Sequence, residues 1–485
     1  MAENKSIYRK IIGATSLFGG VQVINMLCSL IRNKLIALLL GAEGVGLIGL
    51  YNSAIEMVSS LTTFGLRQSS VRDVAVANKK GKEALKQISG VVRKLSLVLG
   101  LLGAIIFIGS APLLSRITFG TESNLWGFVI LSAALLFNSL ASGEQAILQG
   151  SEKLKIFAKS TVYGSIFSLL VSIPLYYYLR MYGIVPSLLA ASFFTFIFNY
   201  NATKKLKQQS QKVTIRTAIK EGSPMLKLGI YMTIGGFMTT LLNYILIAWL
   251  NRYASIEEVG YYQAGFTLVT RYVGLIFVAM STEYYPRLAS VQHDREQMST
   301  QVSRQMETSL LMLMPIISLF LLLQNWIIPL LYSDEFTTIT SYTTWAMPGV
   351  MFKAVSWALG FILLAKGEGK LFLITELISD VTSILINIML YKYIGLEGLG
   401  IAYTINFIIY TVYMWIISVR RYNFKPEKAF YTIFVISLIL LFAQAILIKL
   451  QIANLYIISS LALSSTLLSL VMLILKVKTK TELKL

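Results

Sequence analysis

Cysteine and histidine are almost missing from this chain. Its one cysteine, Cys28, and its one histidine, His293, exclude a disulfide framework, a cysteine-based metal site, a Cys/His catalytic pair and a multi-histidine metal cluster. Charge is scarce as well. Asp, Glu, Lys and Arg make up 14% of 485 residues, and acidic side chains number 23 against 43 basic ones. No G-x-x-x-x-G-K-[ST] loop occurs, so no nucleotide site of that kind powers the chain. Long polar stretches are absent too. The largest, at 67–88 and 203–223, are well short of a folded domain, so whatever the chain does happens within its apolar part.

That part dominates. Hydrophobic residues are 55% of the sequence and the mean hydropathy is +0.68, far from a soluble average. Fourteen apolar segments lie between residues 12 and 475, each long enough for a spanning helix of about 20 residues. Basic residues crowd into alternate loops and both ends: 34 of the 43 fall there. Cytoplasmic loops collect Lys and Arg, so the formal charge of +20 reflects topology rather than a nucleic-acid partner. Both termini are expected in the cytoplasm, on an even number of spans. The polar start, residues 1–10, leads into a run too long for a signal-peptide core and reads as an uncleaved first span. The expected class is an all-α polytopic membrane protein.

Short motifs recur. Val45-Gly46 has an echo at Val259-Gly260, Gly150-Ser151-Glu152-Lys153 at Gly367-Glu368-Gly369-Lys370, and Tyr182-Gly183-Ile184 at Ile394-Gly395-Leu396. Their offsets, 214, 217 and 212, predict a parallel repeat of six segments. This divides the chain into an N-lobe at 1–203, a basic linker at 204–224, a C-lobe at 225–419, and two further helices at 429–475. Transporters are often built from such repeats, with the site between them.

Polar residues inside the spans fall on helix faces. Gln22, Asn25, Ser29 and Arg32 share one face of the first segment, and Asn52, Glu56, Ser59 and Thr63 share one of the second. A charge at membrane depth costs roughly 3 kcal/mol or more and faces a protein interior or a water-filled cavity. Arg32, Arg271 and Lys353 are candidates to hold an anionic head group, since a guanidinium matches phosphate well. Asn25 and Asn52 join that wall. Lys34 lies about 200° around the helix from Arg32 and either joins the cavity or snorkels outward. Glu376 and Asp380 sit one turn apart. Two such carboxylates resist ionising together, which suits coupling to H⁺ or Na⁺, with Glu56 as a further candidate. The same charges also suit ion pairs with one another or with Glu144, and the Ser, Thr and Gly positions also suit plain helix contacts. The basic stretch 67–86 is expected either on an anionic leaflet or as a solvated loop.

Four stretches carry a family resemblance: Gly41-Ala42-Glu43-Gly44-Val45-Gly46-Leu47, Glu258-Val259-Gly260-Tyr261-Tyr262-Gln263-Ala264, Met280-Ser281-Thr282-Glu283-Tyr284-Tyr285-Pro286-Arg287-Leu288, and Thr375-Glu376-Leu377. With the spans and the repeat, they resemble Wzx-type O-antigen translocases of the multidrug/oligosaccharidyl-lipid/polysaccharide exporter superfamily. The resemblance implies two six-helix lobes in a V around a cationic cavity, and alternating access. It implies an undecaprenyl-diphosphate-linked oligosaccharide as cargo in the bacterial inner membrane, with no cofactor beyond a coupling ion. Membrane lipids, a polysaccharide polymerase and chain-length proteins are the partners it suggests. The two last helices match fourteen-span members of the superfamily. A multidrug exporter of the same architecture is the rival reading. It would favour an acidic, aromatic cavity. A membrane-embedded polymerase would need a large outer loop that this chain lacks.

Overall fold

A backbone inside a bilayer satisfies its polar groups only as a helix or a closed barrel, and here every expected segment is helical. The computed structural model describes residues 2–205, 213–451 and 455–482, among which there is no strand. Its helices are α1 (Ala2–Thr62), α2 (Leu66–Lys80), α3 (Lys82–Phe119), α4 (Leu125–Gly150), α5 (Leu154–Leu179), α6 (Ile184–Lys205), α7 (Ile215–Tyr253) and α8 (Ile256–Phe266). They continue with α9 (Val273–Ser290), α10 (Arg295–Leu331), α11 (Thr340–Ala365), α12 (Gly369–Ile394), α13 (Leu396–Tyr422), α14 (Lys428–Leu450) and α15 (Leu455–Glu482). Among the described residues, eleven stretches are long and apolar enough to cross a membrane. Two of them, Val23–Thr62 with 40 residues and Leu154–Lys204 with 51, hold two segments each. The first is broken at Gly41, with φ 67° and ψ −165°, a conformation open essentially to glycine alone. The second is broken by the 3₁₀ turn Arg180–Gly183. The linker expected at 204–224 lies outside the described residues at 206–212. Helix α7 begins at Ile215, capped by Thr214, whose hydroxyl accepts from the Thr217 N–H at 3.3 Å.

The basic stretch after the second span is neither a loop nor a free surface helix. Helix α2 packs on α3, α4 and α7 through Leu66, Ser69, Ser70, Val74 and Ala77, all buried, a spacing of one helical face. Gly150 at the end of α4 admits it closely, since a methyl there would lie 2.6 Å from Val74 Cβ. Arg67, Arg72, Lys79 and Lys80 stay exposed.

The helices form two units, Met1–Gly260 and Tyr261–Leu485. Helix α7 belongs with the first and packs on α1, α2 and α3. Phe128 centres the core of this unit, its ring centroid 5.2 Å from that of Tyr51 and 5.8 Å from that of Phe107. Gly46 of α1 and Gly260 of α8 meet within this unit. A methyl on Gly46 would lie 2.0 Å from the Ile256 carbonyl oxygen, and one on Gly260 2.0 Å from that of Ala42.

In the second unit α11 is the enclosed helix, packed on α10, α13 and α14. The last two helices are integral to this unit. The Ser318 hydroxyl of α10 donates to Gln444 Oε1 of α14 at 2.6 Å, Gln444 Nε2 returns a bond to the Ser318 carbonyl at 2.9 Å, and the Ser465 hydroxyl of α15 reaches Ser318 Oγ at 2.8 Å. Gln444 is fully buried. Gln444→Ala is expected to cost about 1–2 kcal/mol by stranding these groups, read as a lower thermal-unfolding midpoint in detergent. An unchanged midpoint would show that α14 and α15 dock without this network.

The repeat is written in hydrogen bonds. Between α4 and α5, Ser151 N donates to Ile147 O, Glu152 N to Gln149 O and Lys153 N to Leu148 O. Between α11 and α12, Lys366 N donates to Ile362 O, Gly367 N to Leu364 O and Glu368 N to Leu363 O. Each pair is 215 residues apart. The same offset relates Gly183, whose added methyl would meet Leu175 O at 2.2 Å, to Gly398, whose methyl would meet Leu390 O at 2.3 Å.

Candidate functional site

In the first unit the two polar stripes are less buried than the apolar residues beside them on the second half of α1, and on its first half they face α5. Tyr51, Ser53, Ala54, Ile55, Met57 and Val58 are buried, whereas Asn52, Ser59 and Thr63 are half-buried and Glu56 is exposed. The Ser60 hydroxyl joins this helix to α7 through Thr240 Oγ1 at 2.7 Å. The first half of α1 is tied to α5 at two levels. Ser165 Oγ donates to Asn25 Oδ1 at 2.9 Å, and Arg32 Nη2 donates to Ser168 Oγ at 2.8 Å. Arg32 Nε is buried and has no hydrogen-bond partner among the described residues. Its fork is thus held at one end and unpaired at its buried Nε, which leaves donor capacity for an anion that takes two donors. Lys34 is half-buried. The side chain of Gln22 lies outside the described ones.

In the second unit three elements bring the remaining candidates together. Lys353 of α11 sets its ammonium among the rings of Phe277, Tyr403 and Phe407. Glu376 of α12 accepts a hydrogen bond from the Tyr410 hydroxyl of α13, and the neighbouring Tyr413 hydroxyl donates to the Thr375 carbonyl. The Lys353 charge attracts the Glu376 carboxylate, and Asp380 repels it. Arg271 is exposed on a π-helical segment, Thr267–Tyr272, set between α8 and α9. Such widened turns inside helices often mark functional positions. The stretch Met280–Leu288 anchors helices instead. Arg287 Nη2 donates to Gln305 Oε1 at 3.0 Å and its Nη1 lies 3.1 Å from Glu283, while the Tyr284 hydroxyl donates to Ala358 O at 2.9 Å.

Glu144 is not a partner for Arg32. Its carboxylate takes Arg93 Nε at 2.7 Å and Nη2 at 3.0 Å, and the Thr203 hydroxyl at 2.6 Å. Arg93 reads from the sequence as one of many basic residues near a loop. A buried acid in α4 is the signal that one of those cations has a fixed place. The aromatic surroundings of Lys353 come from distant segments and leave no local pattern.

The family described as polysaccharide biosynthesis protein matches residues 35–341. A probable low-salt glycan biosynthesis flippase, Agl15 of Haloferax volcanii, is 22% identical over 388 residues, covering 77% of this chain and 76% of that one. The lipid III flippase of Escherichia coli is 22% identical over 411 residues, 79% of this chain and 91% of that one. Among solved structures, the lipid II flippase MurJ in an inward closed conformation superposes with a TM-score of 0.70 at 17% identity, over 96% of this chain and 99% of the other. An inward-facing multidrug resistance transporter of the MATE family gives 0.61 at 15%, over 82% and 94%.

Proposed function

Because the chain belongs to the polysaccharide biosynthesis protein family, we propose that it flips a lipid-linked oligosaccharide from one membrane leaflet to the other. The cargo is an undecaprenyl-diphosphate-linked repeat unit of a surface polysaccharide such as an O-antigen, taken up from the cytoplasmic leaflet of the inner membrane with both chain termini on that side. Relatives named as flippases for glycan lipids support this. The observation that carries it is Arg32, at membrane depth on a polar face with a buried, unsatisfied Nε. Its guanidinium receives the diphosphate, and Asn25, Asn52 and Lys34 complete the polar wall. Arg271 offers a second cation on the π-helical turn. Movement follows alternating access, and Glu56, Glu376 and Asp380 couple it to an H⁺ or Na⁺ gradient. A polymerase and chain-length proteins use the product.

The test is movement of a fluorescent polyprenyl-diphosphate oligosaccharide in liposomes holding the purified protein, with and without a pH gradient. Arg32→Ala is expected to slow movement at least tenfold, about 1.4 kcal/mol, while the protein stays folded. Wild-type rates in that variant would remove Arg32 from the site. A second reading, export of cationic drugs, is favoured by the aromatic and acidic side chains around Lys353. Gradient-driven uptake of a cationic dye, with no movement of the lipid, would select it.

A further inference from the structure

Lys353 reads from the sequence as a head-group ligand, but its surroundings are those of a cation in a box. Its Nζ lies 5.8 Å from the ring centre of Phe277, 6.0 Å from Tyr403 and 5.3 Å from Phe407. Phe277 comes from α9. Tyr403 and Phe407 stand one turn apart on α13, with centroids 4.8 Å apart. Ring faces carry negative potential and hold a positive charge, more strongly where water is thin. Phe277 and Tyr403 are buried, at 6% and 8% exposure. Glu376 adds electrostatic attraction, and Asp380 follows it one turn along α12. Lys353, Phe407, Glu376 and Asp380 are half-buried, so the box has an open side.

Three aromatic faces beside two carboxylates make the chemistry that recognises an organic cation, a quaternary ammonium or phosphonium. An anionic diphosphate would meet repulsion there from the same faces and carboxylates. We propose that this box is an organic-cation site, and that Lys353 is a tethered cation which fills it and keeps free cations out. A tethered group competes at an effective concentration in the millimolar range, which a dilute free cation does not match. Lys353 thereby sets which cargo the chain refuses.

The test is binding of tetraphenylphosphonium to the full chain in lipid nanodiscs, by equilibrium dialysis against lipid-only discs. It does not measure flipping, so its failure would leave the flippase reading in place. Lys353→Met keeps the apolar stem and removes the charge. It is expected to bind the probe at least tenfold more tightly than the wild type, with quenching of Trp357, whose ring lies 5.3 Å from that of Phe277. Lys353→Arg is expected to bind no better than the wild type, and adding Phe407→Ala to Lys353→Met is expected to return binding to the wild-type level. Equal affinity of Lys353→Met and wild type overturns the proposal. Tight binding by Lys353→Arg, or binding that survives loss of Phe407, overturns it equally. Should Lys353→Met fail to elute as a single folded species, Lys353→Gln carries the same comparison.

Discussion

Gly46→Leu is expected to abolish the folded, monodisperse protein, and Gly46→Ala to lower its unfolding midpoint sharply. The reason is distance. A Cβ at Gly46 would sit 2.0 Å from the Ile256 carbonyl oxygen and 3.0 Å from the Gly260 nitrogen, so α1 and α8 must separate by more than an ångström to admit it. Overpacking of this kind costs about 1–3 kcal/mol for small additions, and leucine adds three further carbons. Inside a bilayer the loss is direct, since helices there are held by close packing of small residues rather than by hydrophobic burial. The contact is reciprocal: Gly260 stands to Ala42 as Gly46 stands to Ile256. Gly260→Ala is therefore expected to match Gly46→Ala, and the double variant to cost clearly less than the two together, because one methyl already opens the contact for the other. Interaction energies between touching residues reach about 0.5–3 kcal/mol, within reach of thermal unfolding in detergent. Full additivity, or a Gly46→Leu protein that melts like the wild type, would show that the two helices do not meet in the membrane.

These glycines were legible in the sequence as an echo at an offset of 214, though nothing local says that the two copies touch. Other parts of the repeat were read less well, for a physical reason. Matching letters pairs Gly150 with Gly367, whereas the hydrogen bonds pair Glu152 with Gly367. Both of those residues hold positive φ, 58° and 75°, as the turn demands. Glycine takes that conformation freely and glutamate at some cost, so the shared feature is a backbone angle that the letters do not display. The helices themselves were plain, because a span's length and apolarity are local. So was the stripe carrying Asn25 and Arg32. What stayed hidden needed distant chain segments: the three rings around Lys353 come from α9 and α13, and the Gln444 of α14 finds its partner on α10. The stretch 67–86 was open between a leaflet helix and a solvated loop, and the loop is the alternative that its helix excludes. Its apolar residues recur on one face that α4 covers.

Glu144→Ala is expected to destabilise the protein by about 3–5 kcal/mol, the usual cost of leaving one member of a buried pair without the other. Glu144 has 3% of its surface exposed, and the Arg93 side chain 21%. The pair is closed by Thr203, which donates to Glu144 Oε2 and accepts from Arg93 Nη2 at 3.0 Å, so α3, α4 and α6 share one network. Replacing both charges, with Arg93→Leu and Glu144→Leu together, should recover much of the loss, because the penalty belongs to the stranded cation and not to the missing attraction. If the single and double variants unfold alike, the cost lies in packing instead. The same comparison separates the two arginines by role. At Arg93 both Nε and Nη2 are engaged, so its removal is a loss of structure. Arg32 holds one serine and leaves a buried Nε idle, so its removal should spare the melting temperature and strike movement of the lipid. An arginine whose Nε and Nη2 are both held by a buried carboxylate is fixed in a structural role, and one with a buried, unpaired Nε at membrane depth stays costly until an anion arrives.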